Sequence, residues 1–318
     1  MTLDHAAVIP SVGIGDGLIM MVASHRLLCQ NYVVTTFSKP LLELKSWFDP
    51  HFFAVRPPIE QLEETLSAFD LLVVQHDNSP FCQHILSLHQ QNKLKTLSVF
   101  YPSYDSKRHH PLTPLDRVFH EDYPMVDNTA RAISSILGLN HISKNNGLVT
   151  PSHLLHRRYK HRVLIHPTSK DPHRNWSALK FLQVAHQLQQ EGFSPVFVVS
   201  LAEKQEWEPL IADAFPMPSF PTLSDLAAYA FESGYLIGND SGIGHLCSNL
   251  QIPTLVLSNR KHYMDLWRPG WYRGDIVTPP SWIPNWKGSR LRETRWKHFI
   301  SPCSVMKKFK ELLLKEIS

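Results

Sequence analysis

Short apolar runs alternate with longer amphipathic stretches along most of this chain, and no other feature restricts its fold so strongly. A run of about five apolar residues suits a central strand of a parallel sheet, and an amphipathic stretch of about ten or more can carry the chain back across one face. Ala6 to Pro10, Tyr32 to Phe37, Phe52 to Val55, Leu71 to Gln75 and Thr96 to Tyr101 read as strands with helical stretches after each. Between Asn140 and His161 the pattern dissolves into Asn, Ser, Gly and Pro and then the basic cluster Arg157, Arg158, Lys160 and Arg162, which reads as an interdomain linker.

A second series follows, with strands at Arg162 to His166, Pro195 to Ser200, Tyr235 to Gly238 and Thr254 to Ser258. Helices at Trp176 to Glu191, Glu203 to Ala214 and Gly242 to Leu250 are interleaved with them. In the first of these helices Leu179, Leu182, Ala185, Leu188 and Gln189 define the inward face, and Gly192 supplies the stop. Lys261 to Ser301 holds no periodicity and reads as surface-wrapping loops, before helical spacing returns from Ser304 to Ile317. The fold class expected is α/β, in two successive domains, with ligands at strand carboxyl ends where helix N-termini point.

Hydrophobic residues make up 43% and charged residues 19% of the sequence, which excludes a disordered chain. No apolar run reaches the roughly 18 residues of a spanning helix, and the opening MTLDHAAVIP lacks a basic n-region, so a cytoplasmic protein is expected. Cys29, Cys82, Cys247 and Cys303 lie far apart, which predicts reduced, mostly buried thiols and neither a disulfide framework nor a zinc ribbon. The 19 histidines form no HExxH, and the pairs His153/His156 and His84/His89 lack a supporting carboxylate, so no metal site is expected.

The net charge of +4 is uneven: residues 1–150 hold 11 basic and 14 acidic residues, and residues 151–318 hold 21 and 14. From Arg260 onward there are 13 basic and 5 acidic residues with Trp267, Trp271, Trp282, Trp286 and Trp296. Two readings fit this stretch. Its cations and aromatics suit an anionic membrane or a phosphorylated acceptor, and its tryptophans equally suit packing of the second domain. A nucleic-acid partner is not expected, since no binding motif accompanies the charge.

Three segments carry the chemistry. After the first strand, SVGIGDG places Gly13, Gly15 and Gly17 where the backbone can approach a ligand, ahead of a helix from about Leu18. The spacing is GxGxG, so a dinucleotide fingerprint is not met. Asp16 in this loop has two readings, a helix cap and a base that accepts a proton from a substrate hydroxyl. In IHPTSKDPHRNW, Lys170, His173 and Arg174 follow a strand and precede a helix, a place where cations hold a diphosphate. In GNDSGIGHLCSNLQIPTLVLS, the N–H groups of Ser241, Gly242, Ile243 and Gly244 open a helix toward an anion. Asn239 stands where a GxSxG nucleophile elbow needs Gly, which excludes that hydrolase motif.

In order and spacing, GIGDG, HPTSKDPHRNW and NDSGIGHLCSNLQIPTLVL resemble glycosyltransferase family 9, the heptosyltransferases, most strongly from Val163 to Ser258. The resemblance implies a GT-B fold, two Rossmann-like domains facing each other across a central cleft. Residues 1–150 would bind acceptor, residues 151–300 would bind the nucleotide sugar, and the helix in 301–318 would return to the first domain. It implies transfer of heptose from ADP-heptose to a lipopolysaccharide core or other lipid-linked or phosphorylated glycan, without metal or cofactor, on the inner face of the bacterial inner membrane.

By resemblance, Asp16 matches the general base, and Gly13, Gly15 and Gly17 form the acceptor-side loop. Thr168, Ser169, Lys170 and Arg174 match the donor phosphate loop, and Glu203 the acid at the donor ribose. Asp240, Ser241, Gly242 and His245, with Ile243 and Gly244 between, match the signature at the diphosphate and donor sugar. The family's His three residues after the Asp is here Ile19, and its Gly-Ala or Thr-Thr-Arg loop is Thr168, Ser169, Lys170. Two further readings keep the fold: a nucleotide-sugar epimerase or hydrolase, and a non-catalytic sugar-nucleotide-binding protein.

Overall fold

A computed structural model describes residues 4–211, 214–285 and 290–317. The chain divides into two compact units, Met1–Thr150 and Pro151–Ser318. Each is a doubly wound, Rossmann-like α/β unit whose sheet is parallel throughout.

The first unit runs β1 (His5–Ile9), α1 (Ile14–Leu28), β2 (Val33–Phe37), β3 (Phe52–Ala54), α2 (Leu62–Leu66), β4 (Leu71–Gln75), α3 (Pro80–Gln90), β5 (Thr96–Tyr101), β6 (Arg117–Val118) and α4 (Met125–Ile136). Its sheet order is β3-β2-β1-β4-β5-β6. Every residue of β4, LLVVQ, is buried, because helices cover both faces of a central parallel strand and leave no polar side. The order reverses between β1 and β4, so the loops after those two strands diverge and leave room at their carboxyl ends.

The second unit continues with β7 (Tyr159–His166), α5 (Ala178–Gln190), β8 (Ser194–Phe197), α6 (Leu201–Ile211), α7 (Leu223–Phe231), β9 (Ser233–Asn239), α8 (Gly242–Asn249), β10 (Thr254–Leu257), α9 (Lys261–Trp267), β11 (Gly274–Val277), α10 (Leu291–Thr294), α11 (Trp296–Phe299) and α12 (Pro302–Ile317). Its sheet order is β11-β10-β9-β7-β8, with the reversal between β7 and β9. These two strands pair with His166 opposite Gly238, where a Cβ would stand 2.7 Å from the His166 carbonyl oxygen. Glycine at 238 therefore lets the strands meet at the switch point.

Several expectations are corrected. The inward face of α5 is Phe181, Val184, Ala185 and Leu188, and Leu179 is 68% exposed. A spacing of three drifts around a helix of 3.6 residues per turn, and Phe181 supplies the contact that Leu179 cannot reach. Lys261 to Ser301 is not continuous loop: it contains α9 and the edge strand β11, which is short and half-buried and so shows no strong alternation. The final helix packs on its own unit, where Phe309 meets Phe193 and Tyr235 at centroid distances of 5.2 Å. The Glu316 carboxylate accepts bonds from Arg157 and from the Tyr235 hydroxyl at 2.6 Å, fastening its end to the linker.

Of the five late tryptophans, Trp296 is 1% exposed in the core, Trp267 and Trp271 are half-buried, and Trp282 is 79% exposed; Trp286 lies outside the described residues. Cys82 and Cys247 are buried and Cys29 and Cys303 exposed, so half of the thiols depart from the buried expectation. No described helix is long and apolar enough to cross a membrane.

Candidate functional site

Two clusters of polar groups gather at the carboxyl ends of the strands, one in each unit. In the first, α1 begins at Ile14, earlier than the glycine-rich sequence suggests, so Gly15, Asp16 and Gly17 form its first turn. Gly13 is the N-cap and has no side chain to cap with, and the Asp16 carboxylate stands in the first turn, where it accepts from its own backbone N–H. A Cβ on Gly13 would lie 2.9 Å from Asp16 Oδ2, so this glycine leaves space for the carboxylate.

The partner of Asp16 is a residue that sequence reasoning missed. Gln75, the last residue of β4, donates from Nε2 to Asp16 Oδ1 at 2.6 Å and accepts from the Ser11 N–H at 3.0 Å. It thereby ties the β1 loop, the start of α1 and the end of β4 together. The signal was present in LLVVQHD, where an apolar strand ends in a buried amide. Arg56 donates to the Pro10 carbonyl and lies 4.0 Å from Asp77, so both surround the same corner.

Burial raises the Asp16 carboxyl above the usual carboxylate range; the Gln75 bond pulls it down, Asp77 pushes it up, and the net shift is upward. A carboxylate so raised is a stronger base than an ordinary Asp. Ile19, three residues further along α1, is buried in the core.

In the second unit, Asn239 ends β9 and is buried. Its Oδ1 accepts from the Trp176 N–H at 3.0 Å and its Nδ2 donates to the Pro167 carbonyl at 2.5 Å, which staples the loop after β7 to the switch point. Ser169 Oγ, with one proton to give, has two acceptors in reach, the Asp171 carbonyl at 2.9 Å and Asn175 Oδ1 at 2.7 Å. Arg174 donates to Asp240 Oδ2, and its guanidinium stands 5.7 Å from the Tyr263 ring centroid. Lys170 is exposed.

The first turn of α8 follows Asp240 directly, with Ser241 as N-cap and no side-chain cap. Gly242 and Ile243 have no intrahelical acceptor for their N–H groups, by position. The Gly244 N–H is instead bonded to the Ser241 carbonyl at 3.2 Å, which removes it from the expected donors. Within this corner Ser241 Oγ and His245 Nδ1 are buried and unpartnered. His245 lies in an apolar surround that brings its pKa down to about 4, while a bond to the Trp267 backbone carbonyl works in the other direction. It is therefore a neutral imidazole, protonated on the nitrogen facing Trp267 and presenting Nδ1 as an acceptor.

Glu203 is less available than expected. Its Oε2 accepts from the Ser200 N–H at 2.9 Å and from Ser200 Oγ at 2.7 Å, a capping arrangement at the start of α6. Burial raises its carboxyl, but those bonds, with Thr168 and His166 nearby, bring it below the usual range. Among the described residues no three His, Cys, Asp or Glu side chains gather where they could hold a metal ion.

The sequence model of glycosyltransferase family 9 (heptosyltransferase) matches residues 103–270, more than half of the 318 residues. No curated protein sequence matches. Solved structures do: that of E. coli ADP-heptose LPS heptosyltransferase II is 16% identical, with a TM-score of 0.71 over 99% of this chain and 100% of that one. A glycosyltransferase family 9 protein from Veillonella parvula is 17% identical, with a TM-score of 0.67 over 99% of each chain. E. coli heptosyltransferase WaaC with ADP is 12% identical, with a TM-score of 0.65 over 97% of this chain and 99% of that one. At these identities the likeness is one of fold, that of GT-B-type transferases.

Proposed function

The chain belongs to glycosyltransferase family 9 and is a glycosyltransferase, and from that premise we propose an inverting, metal-independent reaction that moves heptose from ADP-heptose to a phosphorylated or lipid-linked glycan of the lipopolysaccharide core. The observation that carries the donor half of this reading is the pair of buried, unpartnered polar atoms, Ser241 Oγ and His245 Nδ1, beside Arg174 and the open first turn of α8. Buried polar groups are normally paired, so atoms left unpaired at a strand end call for a ligand.

In the proposed reaction Asp16 takes the proton of the acceptor hydroxyl as its oxygen bonds to the anomeric carbon. The bond from that carbon to the diphosphate breaks, and the leaving oxygen keeps the electron pair. Attack from the side opposite the leaving group inverts the centre. Arg174, the N–H groups of Gly242 and Ile243 and the hydroxyl of Ser241 stabilise the developing charge, the work a divalent cation does elsewhere. Thr168 and Ser169 shape the loop above them, and Lys170 adds long-range attraction. Neutral His245 accepts a hydrogen bond from a donor hydroxyl at Nδ1, and Glu203 serves the ribose through its remaining oxygen.

Calorimetric titration with ADP, UDP, GDP and CDP in EDTA tests the donor reading. Selective binding of ADP, unaffected by EDTA, is expected. Preference for UDP or GDP would overturn the ADP-heptose assignment, and no binding by folded protein would overturn the site. The base has its own test. Gln75→Leu removes the bond that holds the Asp16 carboxyl down, so the acid limb of kcat/KM is expected to move to higher pH. An acid limb that stays in place would detach Gln75 and Asp16 from the proton transfer.

A further inference from the structure

The second unit has a cavity of about 800 Å³ in whose lining only Arg174 has a role above. Its far wall is the segment from Arg290 to His298, facing Asn259 and Arg260 at the end of β10. Arg260, Arg290, Arg295 and Lys297 line it together with Arg174, against the carboxylates of Asp171 and Glu293. Arg174 is held by Asp240, and Arg260 lies 3.7 Å from Glu293. Arg290 and Arg295 have no carboxylate partner among the described residues.

Hydrogen bonds to the loop after β7 and to α5 fix the wall in place, among them one of 3.3 Å from Lys297 Nζ to the Pro172 carbonyl. Trp296 is buried and donates from Nε1 to the His173 carbonyl at 3.3 Å. Lys180 Nζ donates to the carbonyls of Lys297 at 2.6 Å and Ile300 at 2.8 Å. These bonds clamp the segment onto the loop after β7 and hold several cations around one space. Like charges within a Debye length of about 8–10 Å repel, so the arrangement is unfavourable until an anion enters.

We propose that this cavity is a second anion site, for a phosphate monoester, separate from the place taken by the donor's diphosphate. Two unpaired guanidinium groups on one wall suit the tetrahedral oxygens of phosphate, which arginine binds through paired N–H donors. The two sites share Arg174 at their boundary, and the proposal does not depend on the identity of the donor. A phosphorylated glycan and free inorganic phosphate share this chemistry.

Phosphorus NMR at low, constant ionic strength tests it, using inorganic phosphate and glucose 6-phosphate with the whole protein, with and without saturating ADP. Line broadening of the inorganic phosphate signal is expected to persist under saturating ADP. In Arg290→Gln/Arg295→Gln the phosphate Kd rises at least about tenfold while that for ADP changes less than about threefold. Glu293→Gln removes a carboxylate from the same wall and is expected to tighten phosphate binding, a result that a misfolded variant could not produce. Competition by ADP, or affinity indifferent to all three residues, would overturn the second site. Failure of ADP alone to bind, with phosphate still sensitive to Arg290 and Arg295, would overturn the donor reading and support this one. Glucose 6-phosphate binding at least about tenfold tighter than inorganic phosphate assigns the site to a phosphorylated glycan; equal binding assigns it to free phosphate.

Discussion

Asp16→Asn is expected to lower kcat by about 10²- to 10⁴-fold, the range that a positioned general base contributes, while ADP affinity changes less than about threefold. Asparagine keeps the size of the side chain and an oxygen for the Gln75 Nε2 donor, so the first turn of α1 keeps its shape. What disappears is the proton acceptor. The substitution also removes a carboxylate whose burial opposes ionisation, so the folded variant is no less stable than the parent. Turnover within about tenfold of the parent would exclude Asp16 as base.

Arg174→Ala is expected to weaken ADP binding by about 100-fold, through two effects of the same sign. The variant loses the cation proposed to face the diphosphate, and it leaves the Asp240 carboxylate, 10% exposed, without its partner at the place the phosphates approach. Because Arg174 is itself 38% exposed, the loss falls toward the lower end for broken buried pairs. The two effects separate in Arg174→Ala/Asp240→Asn, where the repulsion is gone and affinity recovers to within about tenfold of the parent. A double variant no better than Arg174→Ala, measured by calorimetry, would show that Asp240 does not oppose the phosphates when left alone.

Much of the second unit was legible because its strands are short, apolar and bounded by loops of distinctive composition. The loops after β7 and β9 stood out in HPTSKDPHRNW and NDSGIGH, and the sheet order brings them to one switch point. What escaped was whatever depends on pairing across the chain. Gln75 is an ordinary amide until β4 lies beside β1, and Asn239 is one more loop residue until its side chain reaches Pro167 and Trp176. β11 was hidden because an edge strand of four residues, only Val277 of them buried, needs little patterning to pair with β10. The helical spacing of α12 was visible, but nothing in it told which surface would receive Phe309. Glu203 looked free in sequence and is largely occupied by Ser200, a contact of only three residues that its position after a strand end had suggested less strongly than a ligand.

The clamp between the 172–174 turn and residues 296–297 joins residues more than 120 positions apart. A ribosome adding roughly 5–20 residues each second delivers the loop after β7 several seconds before the tryptophan and lysine that secure it. Until Trp296 and Lys297 are available, the growing chain can display the donor loop but lacks the bonds that hold it. The platform proposed to present the donor loop is thus completed by residues made well after that loop, although every side chain proposed for transfer precedes them.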